Sequence, residues 1–136
     1  MQRILAATLL VFVLATAACQ LSEPDWFTGD FEAAAAVAAA SETLVVMDFY
    51  TDWCTWCKRL DQDTFSDAAV QAELAGFVAM KVNAEKGGRA LAKRFKINSY
   101  PTVVFTNSAG VEVDRIVGYL PPDGFISEVR RIRAAE

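Results

Sequence analysis

Histidine is missing from this chain of 136 residues, and cysteine occurs only three times. A structural zinc site takes four Cys or His ligands, so one copy of the chain cannot build one. A c-type haem attachment needs His directly after the second cysteine of a C-x-x-C pair, and Lys58 stands there. No methionine cluster lies near a cysteine, which argues against tight storage of a soft metal. Basic charge is also in short supply: 13 Lys and Arg against 17 Asp and Glu leave a formal charge of −4, so no positive surface points to nucleic acid. The longest apolar run, residues 4–18, falls short of the roughly 20 residues that a membrane-spanning helix wants.

What is present begins with Asp52-Trp53-Cys54-Thr55-Trp56-Cys57-Lys58, directly after the apolar stretch 44–50. Two thiols three positions apart, where a strand-like segment gives way to a helix-like one, can close a small disulfide ring and open it again. Only the thiolate attacks a disulfide, and a free cysteine with a pKa of about 8.5 is mostly protonated at neutral pH. At a helix N-terminus, Cys54 meets unpaired N–H groups and the positive end of the helix dipole, both of which favour the anion. Cys57, one turn on and on the same face, is placed to attack a mixed disulfide formed on Cys54. Copper(I) held between two thiolates stays open as an alternative. A purely structural disulfide is disfavoured, because so short a loop makes a poor staple.

The third cysteine belongs elsewhere. Arg3 followed by the apolar run and small residues predicts a secretory signal over 1–18. Thr16-Ala17-Ala18-Cys19 resembles a bacterial lipobox, which implies lipid attachment at Cys19; cleavage without lipidation would leave a soluble exported protein. Residues 19–29 read as a tether, with Pro24 and Gly29 breaking regular structure and Trp26 and Phe27 packing onto the domain. The remainder, 30–136, has the size of one domain with a single core.

Within it, Asp30 caps a helix to about Ser41 with Phe31, Ala34, Ala35 and Ala38 on one face. Residues 44–50 form a buried strand interrupted only by Asp48. A helix runs from Cys54 to about Asp63, breaks near 64–66, and restarts with Ser66 as cap before Val70 and Leu74. Gly76 ends it, and a strand follows at 77–83. Gly87 and Gly88 open a helix with Leu91 and Phe95 inward, 102–106 and 111–117 form a hairpin around Asn107-Ser108-Ala109-Gly110, and Pro121-Pro122 start a last helix. Phe125, Ile126, Val129 and Ile132 form the buried side of that helix. The alternation predicts an α/β fold with a mixed sheet.

Four motifs in order carry a family resemblance: residues 47–58, then Asp63-Thr64-Phe65-Ser66-Asp67, then Tyr100-Pro101-Thr102-Val103-Val104-Phe105, then Gly118-Tyr119-Leu120. From about residue 25 to 133 the chain resembles a thioredoxin-fold protein. It is most similar to thioredoxin-like lipoproteins and to the C-terminal periplasmic domain of the transmembrane thiol-disulfide interchange protein. The resemblance implies a thioredoxin fold, with a central mixed sheet flanked by helices on both faces. It makes Cys54 the nucleophile and Cys57 the resolving thiol. Asp48 becomes a buried carboxylate that exchanges a proton with Cys57, and Lys81 a lysine beside it that tunes that proton. Pro101 matches the family's cis-proline, and Trp53, Trp56 and Tyr100 are candidate substrate contacts. Thioredoxins proper carry Gly-Pro where this chain has Thr55-Trp56, a departure that bears on redox potential.

The resulting expectation is an exported thiol-disulfide oxidoreductase reducing protein disulfides in the cell envelope. It needs no cofactor beyond the Cys54–Cys57 pair. Its partners are protein thiols and disulfides and a membrane electron donor, with no nucleic acid. It acts as a monomer held to the periplasmic side of a membrane by lipid. Copper(I) handling or metalloprotein assembly is the alternative.

Overall fold

The computed structural model describes residues 22–136; the expected signal segment, Cys19 and the start of the tether lie outside the described residues. Ten elements follow in chain order: α1 (Phe31–Ala40), β1 (Val45–Tyr50), α2 (Thr55–Arg59), a π-helical turn (Leu60–Phe65), α3 (Ala68–Leu74), β2 (Val78–Asn83), α4 (Arg89–Arg94), β3 (Thr102–Thr106), β4 (Glu112–Val117) and α5 (Pro122–Ala134). The strands form one sheet in the order β2-β1-β3-β4. β1 runs parallel to β2 and antiparallel to β3, and β3 to β4 is an antiparallel hairpin. This is the expected α/β fold with a mixed sheet.

Alternation along β1 divides the core in two, because successive strand residues point to opposite faces. Val45, Met47 and Phe49 pack with Phe31, Ala34 and Ala38 of α1 and with Ala92 and Phe95 of the α4 region. Val46 faces the other layer with Leu60, Phe65, Val70, Leu74, Phe125, Val129 and Ile132. Helices therefore cover both faces, and Asp48, two residues from Val46, points to the layer that contains α2.

Local chemistry accounts for most boundaries. The Asp30 carboxylate accepts the Ala33 N–H at 2.8 Å and caps α1. Asn107 Oδ1 accepts from Ala109 and Val111 N–H, and Gly110 at φ +77° completes the hairpin turn. Val111 lies outside β4, which starts at Glu112.

Two boundaries differ from expectation. The break falls at 66–67, close to the expected 64–66 but later: after α2 the helix widens into the π-helical turn and runs to Phe65 before it ends. The cap of α3 is Asp67, not Ser66. Asp67 Oδ1 accepts both Ala69 and Val70 N–H, whereas the Ser66 hydroxyl is already committed to the Gln62 carbonyl at 2.6 Å. In α4 the fully buried side chain is Ala92, with Leu91 only partly covered; Ile126 of α5 is likewise half-buried.

The described part of the tether lies along the domain. Phe27 N–H donates to the Ala79 carbonyl at 2.7 Å on the outer edge of β2, Pro24 is buried, and Trp26 meets Phe65 edge-on with centroids 5.1 Å apart. Among the described residues no helix is long and apolar enough to cross a membrane.

Candidate active site

Strand β1 delivers the chain into the site. Cys54 is the N-cap of α2 in extended conformation, and its sulfur accepts the Cys57 backbone N–H at 3.1 Å. That is where helix geometry concentrates unpaired donors and positive potential, so negative charge on this sulfur is favoured. Cys54 and Cys57 are joined as a disulfide with Cα atoms 5.3 Å apart. Both are buried almost equally, at 4% and 3% exposure.

Behind the pair, Asp48 is 2% exposed and stands in register with Lys81 on β2 and Val103 on β3. Burial raises its pKa from 3.8 to about 7, against the opposing pull of the Lys81 ammonium. Its Oδ1 has no hydrogen-bond partner among the described residues, while Oδ2 faces Lys81 Nζ at 3.7 Å, an ion pair longer than a hydrogen bond. The lysine's hydrogen bond goes instead to Asp61 on the π-helical turn. Tyr50, Trp26 and Phe65 surround the rest of the ammonium, with ring centroids 4.8, 5.6 and 5.9 Å from Nζ. Lys81 thus lies between two carboxylates, one buried and one at the surface.

Asp61 was not among the residues singled out from sequence. A signal for it existed: it stands four positions after Cys57, hence on the same helical face. The two other motifs quoted from sequence prove to be bonded to each other. Tyr119 O–H donates to Asp63 at 3.1 Å, Thr64 O–H donates to the Leu120 carbonyl at 2.6 Å, and Phe65 enters the core. Arg59 Nε, 2.7 Å from Asp63, holds that carboxyl below its usual range.

On the other side of the pair the loop is clipped to the segment after β2. Trp53 Nε1 donates to Glu85 at 3.1 Å, Asp52 accepts from Asn83 at 2.8 Å and pairs with Lys86 at 2.5 Å, and Lys86 lowers the Asp52 pKa. Trp53 and Trp56 remain 64% and 58% exposed. Trp53 meets Tyr100 edge-on at 6.0 Å, and the Tyr100–Pro101 peptide is cis. Sequence-selected Cys54, Cys57, Trp53, Trp56, Tyr100 and Pro101 therefore gather at one end of the sheet, with Asp48 and Lys81 behind them. No group of three or more candidate metal ligands occurs among the described residues.

The sequence profile of the thioredoxin-like domain family matches residues 31–133. The thiol:disulfide interchange protein DsbD of Ralstonia nicotianae is 35% identical over 106 residues, covering 75% of this chain but 17% of that protein. The chain thus spans about one sixth of the length of the curated relatives it matches. A thioredoxin from Thermus thermophilus superposes with a TM-score of 0.71 at 30% identity, covering 82% of this chain and 88% of that one. The C-terminal domain of Neisseria meningitidis DsbD in its oxidised form superposes with a TM-score of 0.62 at 27% identity, covering 74% and 90% respectively.

Proposed function

The chain belongs to the thioredoxin-like family and carries its disulfide oxidoreductase pair, and from that premise we propose that it reduces protein disulfides outside the cytosol, anchored through Cys19. The observation that carries this reading is the buried carboxylate of Asp48, its pKa raised to about 7 on the face of β1 that looks toward α2. A group with that pKa takes a proton and returns it near neutral pH.

The reaction runs in two exchanges. The Cys54 thiolate bonds to one sulfur of the client disulfide, and the other client sulfur leaves as thiolate. Cys57 then gives its proton to Asp48 and bonds to Cys54, and the second client sulfur leaves. The client gains two electrons and the domain ends as the Cys54–Cys57 disulfide, which a membrane electron donor must reduce again. Asp48 and Lys81 act on the proton, Pro101 shapes the loop against which the client lies, and Trp53, Trp56 and Tyr100 contact it. Domain limits of 30–136 behind a signal at 1–18 complete the proposal. Similarity to thiol:disulfide interchange proteins supports the exchange chemistry.

The test is a Cys57→Ala variant of the mature chain, which holds clients on Cys54 as mixed disulfides. Several envelope proteins trapped through single cysteines support the reading. A single copper protein would favour metalloprotein assembly, and no adduct would overturn thiol exchange.

A further inference from the structure

We propose that Trp26 of the tether belongs to the proton machinery: laid across the outer edge of β2, its ring holds the Lys81 ammonium between Asp48 and Asp61 and so sets how readily Cys57 gives up its proton. The inference rests on the thiol-disulfide exchange proposed above and adds to it a residue from outside the 30–136 domain.

Strand alternation brings the ring there. Phe27 N–H donates to the Ala79 carbonyl at 2.7 Å, so this part of the tether lies along β2 as an added strand would. Its neighbouring side chains then fall to opposite layers: Phe27 packs with the cluster of α1 and α4, and Trp26 with that of the π-helical turn, α3 and α5. Ala79 belongs to the second cluster, and Lys81, two residues on, points to the same side. Trp26 therefore reaches Lys81, its ring centroid 5.6 Å from Nζ, and meets Phe65 edge-on at 5.1 Å.

A clasp fixes the tether ahead of the ring. Gln71 Nε2 donates to the carbonyls of Ser22 at 2.6 Å and Phe65 at 2.8 Å, and the Ser22 hydroxyl donates back to Gln71 Oε1 at 3.1 Å. Pro24, between the clasp and the ring, is buried. Phe65 also lies 5.9 Å from Lys81 Nζ, so the residue that the clasp grips is part of the same aromatic wall.

The wall matters because Lys81 has a choice of carboxylates. Its Nζ bonds to Asp61 near the surface and stands 3.7 Å from buried Asp48. An ammonium on a flexible stem moves toward the more hydrated partner unless its other sides are closed. Tyr50 closes one side from β1, and Trp26 and Phe65 close the rest. The titratable groups facing Lys81 are Asp48 and Tyr50 of β1 and Asp61 of the π-helical turn, while β3 sets the apolar Val103 opposite Asp48. Asp25, next to Trp26, is exposed and makes no ion pair with Lys81 among the described residues. Loss of the ring releases Lys81 toward Asp61, weakens the cation's pull on Asp48 and strengthens the hold of Asp48 on its proton. Trp26 acts through Lys81 and not on the sulfurs, so it is a positioning residue.

The test follows the second step of the exchange across pH, with the reduced mature chain and 5,5′-dithiobis(2-nitrobenzoate). Cys54 bonds to one reagent sulfur as a first coloured thiolate leaves; Cys57 then gives its proton to Asp48 and bonds to Cys54 as the second leaves. Trp26→Leu keeps apolar cover over Phe65 but removes the ring face, and should raise the midpoint of the second rate by about half a pH unit. Trp26→Phe restores a ring and should stay within about 0.2 unit of the unaltered chain. Added to Lys81→Met, Trp26→Leu should contribute less than about 0.2 unit, because both substitutions act through one contact. A mere packing defect would instead lower the denaturation midpoint in both backgrounds and leave the pH midpoint where it was. An unchanged or lowered pH midpoint in Trp26→Leu, an equal shift in Trp26→Phe, or an equal further shift on top of Lys81→Met would overturn the inference while leaving the exchange intact. No first release from the unaltered chain would instead remove the exchange reading beneath it.

Discussion

Asp48 and Phe49 are neighbours on one strand, equally hidden from solvent, and they face opposite layers of the molecule. Phe49 points into the layer built with α1 and α4, which buries the threonine hydroxyls of Thr102 and Thr106 but no charged group. Asp48 points into the layer of α2, the π-helical turn, α3 and α5, which admits a carboxylate and an approaching ammonium at the end nearest the cysteines. The first layer is arranged for stability. The second gives up some stability to keep a proton-exchanging group behind a disulfide, since the buried, unfavourable form of Asp48 is the charged one.

The contrast breaks most visibly if the cysteines are not the reacting atoms. Cys54→Ser should lower disulfide reduction by at least about 10³-fold in a turbidity assay on insulin, with unfolding of the chemically reduced domain little changed. Next come the two neighbours, with opposite signs. Phe49→Ala should cost about 3–5 kcal/mol in denaturant unfolding, for the lost transfer energy and the cavity left behind. Asp48→Asn should do the reverse. A pKa raised from 3.8 to about 7 means that the folded state disfavours the charged form. The penalty is absent below about pH 4, grows as pH rises toward 7 and is constant above. At about 1.4 kcal/mol per pH unit it reaches on the order of 4 kcal/mol. The asparagine variant should therefore match the parent at pH 4 and exceed it at pH 8, and equal stabilities at pH 8 would contradict the burial argument.

Lys81→Met is a smaller perturbation. With the cation gone, the pKa of Asp48 should climb further, moving the midpoint of the pH–rate profile up by about one unit. An unchanged midpoint would mean that Lys81 acts on Asp61 alone. Smallest of all is Arg131→Ala, which removes half-exposed pairs to Asp114 and Glu128. It should change stability by less than about 1 kcal/mol and leave the rate alone.

Sequence alone carried the architecture because each layer repeats its signal. The Phe31 to Ala38 stripe, the apolar strand at β1 and the proline-started last helix all state the same arrangement. The site was legible where chemistry stands out against its surroundings: two cysteines at a strand-to-helix junction, and one aspartate inside an apolar strand. It was less legible where partners meet only through tertiary structure. Asp61 reaches Lys81 from 20 positions away, and Asp63 reaches Tyr119 from 56. The widened turn at Leu60–Phe65 and the choice of Asp67 over Ser66 as cap depend on which side chain wins a particular N–H, a competition that propensity does not resolve. Trp26 packs onto the domain as its aromatic ring in the tether suggested, but that it meets Phe65 and Lys81 is again a tertiary fact.

The most direct test follows the two coloured thiolates released when the reduced domain meets 5,5′-dithiobis(2-nitrobenzoate) in a stopped-flow instrument. The first marks attack by Cys54, and the second marks its displacement by Cys57. The account predicts that the second rate rises through a midpoint near pH 7 in the unaltered chain. In Asp48→Asn at pH 7 it should fall by about 10²-fold, with the first step nearly unaffected. Superimposable profiles for the two proteins would contradict it.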